Sequence, residues 1–305
     1  MVDIQQEIQQ LNWTRKPLGL YAPIGYALSS GGKRLRPTLC LLANAIFGGE
    51  DKAVVPVALA LEIFHNFTLL HDDVMDQADY RRGRLCVHKK WNMNTAILSG
   101  DQMLIEAYRQ LAQVQQDKLP ILLDMFNQMA TEVCEGQQYD IDFEQQDPIT
   151  IDQYMLMIRL KTSVLLANAL KMGAYIGGAN SAEQNALYEF GVHLGLAFQI
   201  QDDYLDCYGD ERTFGKAIGG DIREGKKTWL WLTAMYDERC AIDNLKSRDY
   251  TKVTEEYNRL GVPEKALQEI NKLTLMALSF LDQVPQNQAT GQLRALATKL
   301  LNRQV

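Results

Sequence analysis

The chain has 305 residues, 47% of them hydrophobic, with a formal charge of −7 and a pI near 5.2. That is ample apolar material for a core, and an acidic balance without a basic, aromatic-studded stripe argues against a nucleic-acid partner. Cys40, Cys86, Cys134, Cys207 and Cys240 lack metal-ligand spacing and read as reduced thiols of a cytoplasmic protein, while the polar start and the absence of any run approaching 18 apolar residues predict neither a secretory leader nor a membrane span.

Apolar residues recur at helical spacing along nearly the whole chain. The pattern predicts helices over about 3–12, 18–29, 36–47, 53–77, 94–116, 119–144, 150–176, 181–208, 225–238, 248–260, 263–283 and 287–303. Of the eight prolines, Pro17, Pro148 and Pro285 fall between these segments and Pro37, Pro120 and Pro263 within the first two residues of one, and alternating strand patterns are nearly absent. Asp147-Pro148-Ile149-Thr150 reads as a loop, with Thr150 or Asp152 capping the next helix. Several segments exceed 20 residues and are apolar on more than one face, as central helices surrounded by others are. No composition break marks a boundary, so 1–305 reads as one all-α domain, a bundle of long helices around a cavity.

Two stretches read Asp-Asp-x-x-Asp: Asp72-Asp73-Val74-Met75-Asp76 and Asp202-Asp203-Tyr204-Leu205-Asp206. Residues four apart share a helix face, so Asp72 pairs with Asp76 and Asp202 with Asp206. Carboxylates this close repel unless a cation lies between them. Hard oxygen donors suit magnesium, which takes one or two carboxylates plus phosphate oxygens. Two such helices facing each other would hold several ions and a polyphosphate. A single motif of this kind is common on solvated faces, but both follow apolar runs, which places them at the ends of buried helices.

Basic residues cluster around these motifs. In Gly31-Gly32-Lys33-Arg34-Leu35-Arg36-Pro37, Lys33 and Arg36 are three apart and could grip one anion, Arg in a bidentate manner and Lys as a point charge; a solvated basic turn is the alternative. Arg81 and Arg82, being adjacent, point in different directions. They could serve two phosphates or pair with Asp76 and Asp79, a surface contact worth only ~0–1 kcal/mol. Lys161-Thr162-Ser163 interrupts the apolar segment Met155 to Leu170, and a buried Lys needs a partner. Lys216, Lys226 and Lys227 follow the second acidic motif on glycine-containing turns.

Taken in order, Gly-Gly-Lys-Arg-Leu-Arg-Pro at 31–37, Leu-Leu-His-Asp-Asp-Val-Met-Asp at 69–76, Arg-Arg-Gly at 81–83, Lys-Thr at 161–162, Phe-Gln-Ile-Gln-Asp-Asp-Tyr-Leu-Asp at 198–206, Gly-Lys at 215–216 and Gly-Lys-x-Thr at 225–228 resemble the trans-isoprenyl diphosphate synthases. The resemblance covers nearly the whole chain. It implies an all-helical isoprenoid synthase fold, a homodimer and magnesium-dependent head-to-tail prenyl transfer. The resemblance assigns magnesium, about three ions per site, to Asp72, Asp76, Asp202 and Asp206, with Asp73 and Asp203 in support. It assigns the allylic diphosphate to Arg81, Lys161, Lys216 and Lys226. Isopentenyl diphosphate falls to Gly32, Lys33, Arg36, His65 and Arg82. Lys161, Thr162, Gln199 and Lys216 are the implied catalytic set, Thr162 and Gln199 offering oxygens to an allylic cation. The departing pyrophosphate is the proton acceptor.

Product length should depend on what lies beneath the first acidic motif. Phe67, five residues before Asp72, and the small Thr68 look most like geranylgeranyl synthases; two adjacent aromatics would have favoured farnesyl. On a helix wheel Thr68 and Phe64 face closer to Asp72 than Phe67 does, so Phe64 is a second candidate for the floor, and both aromatics could also be ordinary core residues. A class I terpene cyclase fits less well, because the second motif is also Asp-Asp-x-x-Asp and the 31–37 stretch has no use there. A non-catalytic synthase subunit would usually lack one acidic motif. The terminal segment offers only Arg303 as a basic residue, which leaves a closing role for the tail open.

Overall fold

A computed structural model describes residues 2–146, 148–210 and 218–301. The helices are α1 Ile4–Gln10, α2 Leu18–Leu28, α3 Leu35–Ile46, α4 Asp51–Met75, α5 Val87–Lys90, α6 Met93–Leu111, α7 Leu119–Gln145, α8 Ile151–Ile158, α9 Val164–Gly177 and α10 Ser181–Tyr208. There follow α11 Gly220–Glu224, α12 Trp229–Met235, α13 Ile242–Lys246, α14 Tyr250–Leu260, α15 Val262–Phe280 and α16 Gln288–Leu301. The fold is all-α. Among the described residues the sole strand pairing is β1 Tyr80–Arg81 with β2 Arg84–Leu85, antiparallel with Arg81 opposite Arg84.

Side-chain caps set many of the starts. Asp3 accepts from Gln5 N at 2.9 Å and Asn92 from Thr95 N at 2.8 Å. Of the two candidates before α8, Thr150 is the cap, in a reciprocal box with Gln153; Asp152 lies inside the helix, and Asp147 falls outside the described residues. The segment predicted as one helix over 150–176 contains a π turn at Arg159–Ser163 between α8 and α9. The predicted helix at 225–238 begins only at Trp229, after the left-handed Gly225 and the cap Thr228. The short helices α5, α11 and α13 have too few residues to show a period.

Contacts divide the chain into two compact units, each assembled from two stretches: Met1–Phe126 with Ala169–Gln184, and Asn127–Asn168 with Asn185–Val305. In the first, α4 packs against α3 and α6 and buries Val57, Ala58, Leu61, Ile63 and Phe64. Cys40 of α3 comes so near Gly173 that a Cβ there would lie 2.2 Å from its carbonyl oxygen. The sequence predicts no membrane span, and one helix nevertheless meets the length and composition of one. Helix α4 is long and apolar enough, with a mean hydropathy of 1.7 over its best window. That window is 61% buried, because α4 is a core helix, and its central acid, Glu62, is neutralised by Arg34. In the second unit the core gathers Tyr154, Ile158, Ile200, Leu230, Leu232, Tyr257 and Val262.

Candidate active site

In the first unit, the loop before α3 meets the end of α4 and the β1–β2 turn. Arg36 Nη1 donates to His65 Nε2 at 3.0 Å. Burial pushes the His65 imidazole well below its usual range, and the charges of Arg36, Arg82, Arg81 and Arg34 push it the same way. It is therefore neutral at pH 7 and able to accept. Burial lowers Arg36 to about 10, offset in part by Glu62 and reinforced by Arg82. Its Nε is buried without a partner, and a buried N–H left unmade is costly. A concentration of guanidinium charge around a neutral histidine is what an anion would complete.

The turn that presents the arginines has positive φ at both central residues, 53° at Arg82 and 72° at Gly83, as a tight hairpin requires. A non-glycine residue rarely adopts this conformation. Arg82 keeps it while its Nη1 donates to the Gly31 carbonyl. A Cβ on Gly32 would lie 2.7 Å from that same Nη1, so only glycine leaves the guanidinium its seat. The two arginines do diverge, but not to the acids expected. Arg81 Nε donates to the buried Asp73 at 2.6 Å, and Asp79 is taken by Lys89 at 2.8 Å. A cleft lined by Ser30, Asn66, Asp73, Arg81, Arg82 and Arg84 lies beside them. Lys33 is exposed on the same loop.

The first acidic motif closes α4. Asp76 is its C-cap, with helical backbone angles, and its N–H bonds the Asp72 carbonyl at 2.8 Å, so the two remain one turn apart. Asp72 is half-buried and Asp76 exposed, an all-oxygen pair suited to magnesium, whose other ligands are phosphate and water. Below them Phe67 is half-buried between His71, centroids 4.8 Å apart, and Phe64 at 5.5 Å. Phe64 is fully buried and meets Phe126 edge-on at 5.4 Å, and Phe126 meets Tyr108 at 5.1 Å. Thr68 Oγ1 donates to the His65 carbonyl at 2.9 Å, turned back on its own helix.

In the second unit, α10 carries the second motif. Asp203 is buried and accepts from the Tyr154 hydroxyl, from Trp229 N at 3.2 Å and from Gln199 Nε2 at 3.3 Å. Burial first, and then the charge of Asp221, raise its carboxyl to about 7, against those three hydrogen bonds. Asp206, also buried, accepts from Asp221 N at 3.0 Å, which ties the start of α11 to the motif. Asp202 is half-buried. Thr162 Oγ1 donates to Gln199 Oε1 at 3.4 Å, bringing the two predicted oxygen donors together. Lys161 donates to Asp140 Oδ2 at 2.5 Å, the partner its surroundings demanded. Lys226 sits 3.0 Å from Glu224 and 3.7 Å from Asp221. Lys216 lies outside the described residues.

Lys161 and Thr162 belong to the π turn, whose extra residue turns them out of the α8 register. Two glycines admit it. A Cβ on Gly136 of α7 would lie 2.2 Å from Lys161 N, and one on Gly195 of α10 would lie 2.6 Å from Ser163 Oγ.

Sequence reasoning missed Glu62, Asn66, Tyr154, Asp140 and Asp221. Glu62 had a signal: it is the sole acid in the run Val54 to Phe64, and a charge in such a run needs a partner. Asp140 had a weaker one, lying one helical turn after Gly136. Tyr154 had none beyond its apolar setting. Among the described residues, no three His, Cys, Asp or Glu side chains form a ready-made metal group.

Residues 18–260 match the family described as polyprenyl synthetase. A geranylgeranyl diphosphate synthase of Methanosarcina mazei is 41% identical over 233 residues, 76% of this chain and 72% of that protein. A geranylfarnesyl diphosphate synthase of Natronomonas pharaonis is 33% identical, covering 95% of this chain and 91% of its own. A crystal structure of a geranylgeranyl pyrophosphate synthase superimposes with a TM-score of 0.93 and 43% identity, over 99% of this chain and 97% of the other.

Proposed function

The chain belongs to the polyprenyl synthetase family and is a prenyltransferase; on that premise we propose that it condenses isopentenyl diphosphate with an allylic diphosphate, with geranylgeranyl diphosphate as product. The observation that carries this is the half-buried Arg36 beside a neutral His65, ringed by Arg81 and Arg82, a subsite for a diphosphate distinct in sequence from the Lys161 cluster.

The allylic C–O bond breaks, pyrophosphate departs, the π bond of isopentenyl diphosphate attacks the cation, and a proton is lost to the departing pyrophosphate. Arg36, Arg82, Lys33 and His65 bind the isopentenyl diphosphate head, with Gly32 leaving room for Arg82. Lys161, steadied by Asp140, takes the allylic diphosphate with Arg81, Lys216 and Lys226. Thr162 and Gln199 present oxygens that favour positive charge without capturing it. Asp72, Asp76, Asp202 and Asp206 would hold magnesium, which supplies Lewis-acid charge for the leaving group. Asp73 and Asp203, each committed to its own partners, orient the motifs instead. Water must be kept from the cation, which it would otherwise capture.

We treat residues 1–305 as one catalytic domain, supported by the fact that neither unit is contiguous in sequence. A homodimer is supported by the exposed apolar residues of α6, Met93, Leu98 and Ile105. The five free cysteines favour a cytoplasmic setting. Phe67 resting on the buried Phe64 supports a twenty-carbon product, with fifteen carbons as the neighbouring outcome.

The test is incubation with labelled isopentenyl diphosphate, magnesium and each allylic primer, followed by chromatography of the products. Asp72→Ala and Asp202→Ala should each abolish transfer while the helical content persists. Either variant retaining activity within about tenfold of wild type, some 1.4 kcal/mol of barrier, would remove that carboxylate from the ion set.

A further inference from the structure

Arg34 stands between Gly32 and Arg36 in the basic loop, yet it does not face the anion subsite. It is buried, and its backbone is left-handed at φ 46°. Its three nitrogens are committed: Nη1 to Glu62 Oε1 at 2.5 Å, Nη2 to the Leu28 carbonyl at 2.5 Å, and Nε to Gln5 Oε1 at 3.0 Å. Glu62 is in turn held by Asn66 Nδ2 at 3.0 Å. The guanidinium thus acts as an internal post, fastening the loop to α4, to the end of α2 and to α1.

The link to α1 is the unexpected one. Gln5 comes from a seven-residue helix near the start of the chain. That helix is anchored by Ile4 and Ile8, which are 7% and 4% exposed, and it packs against α4. If Gln5 withdraws, a buried N–H of a charged group loses its acceptor. The left-handed Arg34, whose carbonyl also starts α3 by accepting from Thr38 N at 3.1 Å, then loses one of the contacts that hold an unfavourable conformation. Gly32 and Arg36, two residues either side, move with it.

We infer that α1 is a working part of the isopentenyl diphosphate subsite, with Gln5, Arg34 and Glu62 as positioning residues for the loop that binds the diphosphate. The inference rests on assigning Arg36, Arg82 and His65 to that substrate. Docking of α1 and occupation of the subsite then favour each other, and the coupling is reciprocal. Isopentenyl diphosphate should tighten α1, and loosening α1 should weaken that substrate alone.

The experiment uses the full chain as wild type, Gln5→Ala and Gln5→Glu. KM for each substrate and kcat are measured, and amide exchange over residues 4–10 is followed with and without isopentenyl diphosphate alone, which cannot react without a primer. Gln5→Ala should raise KM for isopentenyl diphosphate about fivefold or more, leaving the allylic KM near wild type. Gln5→Glu, which keeps an acceptor, should restore it. Isopentenyl diphosphate should slow exchange in α1. Equal effects of Gln5→Ala on both substrates, no effect on either, or exchange in α1 indifferent to the substrate would each overturn the inference. A wild type that neither binds nor uses isopentenyl diphosphate overturns the functional proposal and this inference with it; an active wild type with an unaltered Gln5→Ala overturns this inference alone.

Discussion

His65 shows how much one side chain's meaning depends on its neighbours. Its position seven residues before Asp72 was visible in the sequence, but a lone histidine on an apolar helix is ambiguous; Arg36 at 3.0 Å settles which protonation state it keeps. Its folded pKa lies well below the unfolded value of about 6.5, through burial and then the charges of Arg36, Arg82, Arg81 and Arg34. As pH falls through that unfolded value, the unfolded chain takes up a proton that the native chain refuses. Stability is lost towards acid until the folded pKa is reached, at up to about 1.4 kcal/mol per pH unit. His65→Gln should therefore lose less melting temperature than wild type between pH 7.5 and pH 5.5. A parallel fall in both proteins would show that His65 is not held neutral. The two floor aromatics can be separated in the same spirit. Phe64 is locked between Phe67 and Phe126, so Phe64→Ala should destabilise by ~3–5 kcal/mol. Phe67, half-exposed and about 7.5 Å below Asp72 along the helix, should yield longer products when changed to Ala, with a smaller loss of melting temperature. If Phe64→Ala alone lengthens the product, Phe64 is the stop.

At the scale of elements, the long helices were legible because they repeat the helical period over many turns: α4, α7 and α10 begin and end within a few residues of the sequence pattern. What stayed hidden was every departure from a regular helix. The π turn at Arg159–Ser163 adds one residue inside an unbroken apolar run, and hydrophobic spacing cannot distinguish a slipped turn from scatter. Its traces in the sequence are on other helices, at Gly136 and Gly195. Gly136→Ala should force α7 off the π turn. Overpacking typically costs 1–3 kcal/mol, roughly, and a Cβ at 2.2 Å from Lys161 N leaves little room to relax. Transfer activity should fall more steeply than melting temperature, since the displaced residue is Lys161; a variant with normal kcat and lowered stability would leave the turn a packing feature only. The short helices α5, α11 and α13 were illegible for the opposite reason, since four or five residues carry no period, though the tight turn at Arg82-Gly83 had its glycine in plain view.

At the scale of the whole molecule, the all-α class followed from the missing strand pattern and from helices longer than 20 residues, while the grouping of helices did not, because contacts between distant stretches leave no local trace. The chain leaves the first unit at Phe126 and returns to it for Ala169–Gln184, where Gly173 sits against the Cys40 carbonyl. This bears on recombination. Relatives of this chain carry names with different product lengths, and exchanging segments between them is a natural way to trace that difference. A hybrid made with a single crossover after residue 126 would take Cys40 from one parent and Gly173 from the other, splitting a contact with no room for even one added carbon. Hybrids that exchange 1–126 and 169–184 together keep both sides of it. They should melt several degrees higher than single-crossover hybrids of the same two parents, and equal melting temperatures would show that the returning stretch carries little of the first unit's cohesion. Inheritance by contiguous blocks is thus a poor match to this architecture: the smallest piece that can be traded intact is two pieces, and they must travel together.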